Sequence, residues 1–262
     1  MTNTIITIIG MSLLFVMTTI GASMVFLFKD KISEKANSLI LGFAAGVMIA
    51  ASVWSLLIPS IEGSEHLGTF SFLPAVIGFI LGGVFLVLID KTVPHFHVGV
   101  NEEEGIKSTI SKPMKMFLAV TIHNIPEGLA VGFAFGAAAV LGETSAYLSA
   151  LGLAIGIGIQ NLPEGLAVAL PLSVSTGSRK KAFLFGMGSG LVEPISALIG
   201  FLLASVLTVI QPYLLAFSAG AMVFVVVEDL IPDAKISEHS HVGTWGVMLG
   251  FAIMMILDVA LG

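Results

Sequence analysis

Eight long apolar runs divide this chain and restrict its fold more than any other feature. They cover about 4–28, 37–58, 70–91, 114–137, 145–173, 181–207, 212–232 and 243–261. Each approaches or exceeds the roughly 20 residues of helix that cross a bilayer core of about 30 Å. Apolar types supply 56% of the 262 positions and charged residues only 11%, against about 25% charged in an ordinary soluble domain. So few charges could not cover the surface of a soluble protein. The pattern excludes a cytosolic enzyme, a disordered chain and a nucleic-acid binder, which needs a basic face. With no cysteine there is no disulfide framework, thiolate metal site or thiol nucleophile. The chain reads as an all-α polytopic membrane protein, a single membrane domain over 1–262 that lies multi-pass in the cell membrane (the inner membrane if the source is bacterial), with the lipid bilayer as a partner.

The first run lacks a basic leader and is closed by Lys29-Asp30-Lys31, so it is expected to remain as a span and not to be cleaved as a signal peptide. Lys29, Lys31 and Lys35 lie between spans 1 and 2. Lys91, Lys107, Lys112 and Lys115 flank the connection between spans 3 and 4, Arg179, Lys180 and Lys181 follow span 5, and Lys235 follows span 7. These are all 11 basic residues of the chain, and every one belongs to an odd-numbered connection. By the positive-inside rule those connections are cytoplasmic, including the longest at about 92–113, and both termini face outward.

Two internal likenesses appear. Span 2 reads Phe43-Ala-Ala-Gly-Val-Met48 and ends Leu57-Ile-Pro59; span 7 reads Phe217-Ser-Ala-Gly-Ala-Met222 and ends Leu230-Ile-Pro232. Span 4 carries His123-Asn-Ile-Pro-Glu-Gly-Leu-Ala-Val131 and span 5 Gln160-Asn-Leu-Pro-Glu-Gly-Leu-Ala-Val168. Each pair joins an even span to an odd one, so its members cross in opposite directions. Inverted repeats of spans 1–3 against 6–8, with spans 4 and 5 central, are a transporter pattern whose site lies near the midplane.

Glu127, Glu164 and Glu193 lie well inside apolar runs, with no Lys or Arg in a span interior to pair with them; Asp90, Glu228, Asp229 and Asp258 lie nearer span ends. A charge isolated at membrane depth costs from about 2.5 kcal/mol upward, so the central carboxylates are either neutral or hold a cation. On a helix turning about 100° per residue, Glu127 lies angularly between His123 and Asn124, one turn further along. Gln160, Asn161 and Glu164 repeat that spacing. Two such faces offer imidazole, carboxylate and amide oxygen, a set that suits Zn²⁺, Mn²⁺ or Fe²⁺ better than soft Cu(I). Pro126, Pro163 and Pro194 each remove a backbone donor and free a carbonyl, at Ile122, Ile159 and Gly190. The bland alternative is that these prolines and polar groups only fasten helices together.

The H-N-x-P-E-G of span 4 and Q-N-x-P-E-G of span 5 resemble the metal-site helices of the ZIP family of zinc and iron transporters. Phe43–Met48, Glu193-Pro194 and the closing Leu257-Asp258-Val-Ala-Leu-Gly262 resemble its GufA-like branch. The resemblance implies a transporter and not an enzyme, with Zn²⁺ as transported substrate and Fe²⁺, Mn²⁺ and Cd²⁺ as further candidates. It implies a primary site of His123, Glu127, Gln160, Glu164 and Met48. A second position would use Asn124, Glu127, Asn161, Glu164 and Glu193. Members of the branch often carry Asp where this chain has Asn161, so the centre holds one ion or two. The resemblance further implies an elevator-like unit of spans 1, 4, 5 and 6 moving against spans 2, 3, 7 and 8.

Asp90, His95 and His97 at the end of span 3, with Glu228 and Asp229 at the end of span 7, form a candidate cytosolic exit relay, since weak sites in series help an ion leave. Solvated loop residues are the plain alternative there, as they are for Glu62, Glu65 and His66 outside. The glycine-rich stretches lack a strand–turn–helix context and bind no phosphate. Small-residue helix faces leave a homodimer open. Two other functions compete: an intramembrane metal-dependent hydrolase, against which stand the lack of H-E-x-x-H and too few His residues in the spans for a three-His catalytic zinc, and a monovalent-cation/proton antiporter using paired carboxylates.

Overall fold

The computed structural model describes residues 2–27, 33–92, 112–234 and 241–261. Eight helices in it are long and apolar enough to cross a membrane. Span 1 runs Asn3–Ser23 and ends in a 3-10 turn, Met24–Phe26. Span 2 is α-helical over Glu34–Ala51, π-helical over Ser52–Leu57 and α-helical again over Ile58–Glu62. Span 3 covers Phe72–Thr92, span 4 Lys112–Leu141 and span 5 Thr144–Thr176. Span 6 consists of two helices, Arg179–Gly190 and Val192–Val206. Span 7 runs Gln211–Val225, is π-helical over Val226–Leu230 and closes with Ile231–Asp233. Span 8 covers Val242–Leu261.

Local chemistry explains the ends and irregularities. Ser33 and Ser178 accept hydrogen bonds from the backbone N–H of Ala36 and Lys181, capping spans 2 and 6. Gly177, at φ 63°, ends span 5 in the left-handed conformation that glycine adopts without steric cost. The two π segments each stand just before a Leu-Ile-Pro. Pro59 and Pro232 cannot donate to the carbonyls four residues back, at Ser55 and Glu228. The turn widens instead: the N–H of Ile58 bonds to Val53 and that of Ile231 to Val226, five residues back. In span 6 the break at Leu191 places Pro194 inside the first turn of Val192–Val206, where its missing N–H has no helical partner to lose.

The helices pack most extensively as four pairs: span 1 with 5, 4 with 6, 2 with 8, and 3 with 7. Spans 4 and 5 also pack on each other, span 4 meets span 7 and span 5 meets span 2. The polarity of the assembly is inverted relative to a soluble protein. Large apolar residues such as Ile8, Ile80, Leu88, Leu202 and Ile256 are exposed, while Asn124, Glu127, Gln160, Asn161 and Glu193 are buried. Without a hydrophobic drive between helices in lipid, close packing holds them, and small residues permit the approach. Gly46 lies against the backbone of Val247 and Phe251 in span 8, and Gly220 against that of Phe79 in span 3. A Cβ at either would run into a main-chain carbonyl, of Val247 or of Phe79. These are the glycines of the two F-x-A-G-x-M segments, and both use the missing side chain for the same purpose.

Gly220→Val is therefore expected to destabilise the protein by at least the roughly 1–3 kcal/mol typical of overpacking. Gly83→Ala meets nothing nearer than a Phe224 ring carbon at 3.8 Å and is expected to be neutral or stabilising by up to about 1 kcal/mol. Thermal unfolding of the two variants in detergent checks both.

Candidate metal centre

Spans 4, 5 and 6 bring five polar side chains into the interior, Asn124, Glu127, Gln160, Asn161 and Glu193, none more than 2% exposed. His123 is slightly more open at 14% of its side chain. Span 4 runs through Pro126 as a continuous α-helix, so His123, Asn124 and Glu127 keep helical spacing. Glu193 stands in the first turn of its helix, where the N-terminal backbone N–H groups favour a carboxylate.

The groups are linked across helices. Gln160 Nε2 donates to Glu127 Oε1 at 2.7 Å and, more weakly, to Asn161 Oδ1 at 3.4 Å. Asn161 Nδ2 donates to Glu193 Oε1 at 3.0 Å, and Thr18 Oγ1 donates to the same oxygen at 2.8 Å. Asn124 Nδ2 donates to the Ser189 carbonyl at 3.3 Å, two residues before the break in span 6. The amide N–H groups are thus directed at protein acceptors. The oxygens of the same amides are not so occupied: among the described residues Asn124 Oδ1 and Gln160 Oε1 accept no hydrogen bond although both are buried. A buried acceptor left without a donor costs about 1–3 kcal/mol, and a cation is one partner that supplies what is missing.

Among the described residues no three His, Asp or Glu side chains are grouped so as to hold an ion by themselves. A metal centre here has to draw on amide oxygens, or on Glu164, which lies on span 5 one turn beyond Gln160 and Asn161 but whose side chain is outside the described residues. Met48 is buried in the main apolar core, as is Met222 at the matching position of span 7.

The candidate relay residues divide. Asp229, on the π segment of span 7, is buried and places Oδ2 3.6 Å from His123 Nδ1. Its neighbour Glu228 is exposed. The side chain of Asp90, like His95 and His97 altogether, lies outside the described residues. Three partners were not singled out from the sequence. Thr18 is a hydroxyl in an apolar run whose single proton is shared between Glu193 at 2.8 Å and, at the longer distance of 3.1 Å, the Leu14 carbonyl of its own helix, a common habit of threonine that hides any further role. Ser189 contributes only its backbone carbonyl to Asn124. Ser55 donates to Asp258 between spans 2 and 8.

Residues 101–258 match a family model described as ZIP zinc transporter. The chain is 37% identical to the zinc transporter ZIP11 of Xenopus tropicalis over 331 aligned positions that cover 97% of each protein. It is 36% identical to the zinc transporter GufA of Myxococcus xanthus with 94% of each covered, and 34% identical to the zinc transporter ZupT of Lysinibacillus sphaericus with 96% of each covered.

Gln160→Leu takes the donor from Glu127 and leaves a carboxylate oxygen to be re-satisfied in an apolar interior. A loss of about 1–3 kcal/mol is expected, against less than about 0.5 kcal/mol for Glu228→Ala on the exposed side. Thermal unfolding in zinc-free detergent compares them.

Proposed function

The chain belongs to the ZIP family of zinc transporters, and from that membership we propose that it carries Zn²⁺ into the cytoplasm through the centre between spans 4 and 5. As a member of that family, with eight apolar helices, it is a multi-pass membrane protein and a metal transporter, not an enzyme. The observation that carries the proposal is the pair of buried amide oxygens, Asn124 Oδ1 and Gln160 Oε1, beside the Glu127 carboxylate that Gln160 bonds. That is an acceptor-rich interior suited to a cation.

The ion is held by His123, Glu127, Gln160 and Glu164, with Met48 reaching from span 2 as a soft, weak ligand. A mixed nitrogen and oxygen set fits Zn²⁺ and admits Fe²⁺, Mn²⁺ and Cd²⁺. Asn124 and the Asn161–Glu193 pair border this position on the side where a second ion would lie. Asp229 is the first step of exit. Its carboxylate, 3.6 Å from His123 Nδ1, orients the imidazole while the ion is held and offers an anionic group when it leaves. Glu228, Asp90, His95 and His97 continue the path to the cytoplasmic side, which the basic residues mark.

Access alternates as spans 1, 4, 5 and 6 move against spans 2, 3, 7 and 8. In support, each of the four most extensive packing pairs lies wholly within one of these groups. Exchanging span 1 for 6, 2 for 7, 3 for 8 and 4 for 5 turns the pair 1–5 into 6–4 and the pair 2–8 into 7–3. The π segments of spans 2 and 7 also correspond. Both features support the reading of inverted repeats; that the termini face outward rests on the distribution of basic residues alone. No nucleotide-binding motif is present in the sequence, so the ion follows its gradient or a coupled proton.

Zinc uptake into proteoliposomes containing an impermeant fluorescent chelator tests the proposal. Wild type is expected to show saturable uptake, abolished by Glu127→Ala in a folded protein. No uptake by well-folded, inserted wild type across a range of pH would sink it. Acidification adds protons to the ligands that must be bare to bind metal, so uptake at limiting zinc is expected to fall as pH falls and to be restored by excess zinc. Asp229→Asn, which keeps the shape and removes the charge, is expected to weaken zinc affinity about tenfold or more, read from the half-saturating zinc concentration.

A further inference from the structure

Glu193 is buried completely, and a single oxygen of its carboxylate, Oε1, accepts hydrogen bonds from two other helices: from Thr18 Oγ1 of span 1 at 2.8 Å and from Asn161 Nδ2 of span 5 at 3.0 Å. Asn161 is engaged at both ends of its amide, because its Oδ1 faces Gln160 Nε2 at 3.4 Å. An amide nitrogen carries only donors. It cannot ligate a cation, and here it occupies the approach to Glu193 from span 5.

Residue 161 therefore decides what Glu193 needs. A carboxylate at this position would set a second negative charge against Glu193 in a low-dielectric interior. Like charges so close are not tolerated unless a proton or a cation comes between them. An amide removes the repulsion and supplies the positive end of an N–H dipole instead. The Thr18 hydroxyl adds a second donor. Charge-assisted hydrogen bonds of this kind are shorter and stronger than neutral ones, and they need no ion.

We infer that Thr18, Asn161 and Glu193 form a hydrogen-bonded clasp that takes the place of a second metal ion, so that the centre between spans 4 and 5 works with one ion. The inference rests on the transport reading above and deepens it. Its structural consequence is that spans 1, 5 and 6 are tied together by the protein's own donors whether or not zinc is bound. Asn124, whose amide nitrogen is given to the Ser189 carbonyl, then turns its oxygen toward the single ion or toward water.

The test is a count of bound zinc on purified full-length protein by equilibrium dialysis and elemental analysis. The loops carry further His and acidic residues, so the central count is taken as the difference between each protein and the same protein with Glu127→Ala. One ion is expected for wild type and two for Asn161→Asp, falling back to one in Asn161→Asp combined with Glu193→Gln. Glu193→Gln alone keeps an acceptor oxygen for Thr18 and Asn161 and is expected to leave the count at one; this serves if Asn161→Asp does not fold. A wild-type count of two, a count of one in folded Asn161→Asp, or a drop on Glu193→Gln would overturn the clasp while leaving zinc transport standing. A wild-type count of zero together with absent uptake would overturn the transport reading, and the clasp's purpose with it.

Discussion

A carboxylate in the middle of a membrane must find its partners inside the protein, because hydrocarbon offers none. That requirement organises this structure. Glu127 and Glu193 come from spans 4 and 6, and each is met by a donor from another helix: Gln160 for the first, Thr18 and Asn161 for the second. Spans 1, 4, 5 and 6 thereby share one polar interior while their outer faces stay apolar. The buried acid groups are thus a source of cohesion between helices. A network whose members are all satisfied rigidifies its surroundings, whereas a half-satisfied one is costly.

The same centre is not uniformly satisfied. Each amide nitrogen donates to a protein acceptor, while two amide oxygens remain without donors. An interior arranged for stability alone would not leave acceptors in excess. The imbalance is what a cation carrier requires: sites that bind a positive ion well enough to strip its water, yet not so tightly that it cannot leave. Asp229 fits that requirement from the other side of the boundary. It reaches His123 from span 7, a helix that packs chiefly with span 3, so the two residues belong to different packing groups.

Close helix approach makes these reaches short enough. Gly46 and Gly220 let spans 2 and 7 press against the backbones of spans 8 and 3, and the π segments beside Pro59 and Pro232 shift the helical register beyond them by one residue. Asp229 lies on such a segment. A regular helix would place the residues beyond each segment about 100° away from where the widened turn puts them. The irregularity is local and has a local cause, a proline without an N–H.

Much of this was legible in the amino-acid order. Apolar runs of bilayer length mean helices, since backbone groups in lipid have to be bonded within the segment. Eight runs reappear as eight helices long enough to cross, and the H-N-x-P-E-G and Q-N-x-P-E-G segments point to the family and to acidic groups at depth. Helical periodicity places His123, Asn124 and Glu127 on neighbouring faces without any tertiary information. It says nothing about which atom of Asn161 meets Glu193, that Thr18 of span 1 joins them, that span 6 breaks at Leu191, or that Asp229 reaches His123 ahead of Glu228. Those contacts connect residues up to 175 positions apart. They depend on the rotation and depth of each helix against its neighbours, which close packing of small-residue faces decides and no periodicity within a single helix encodes.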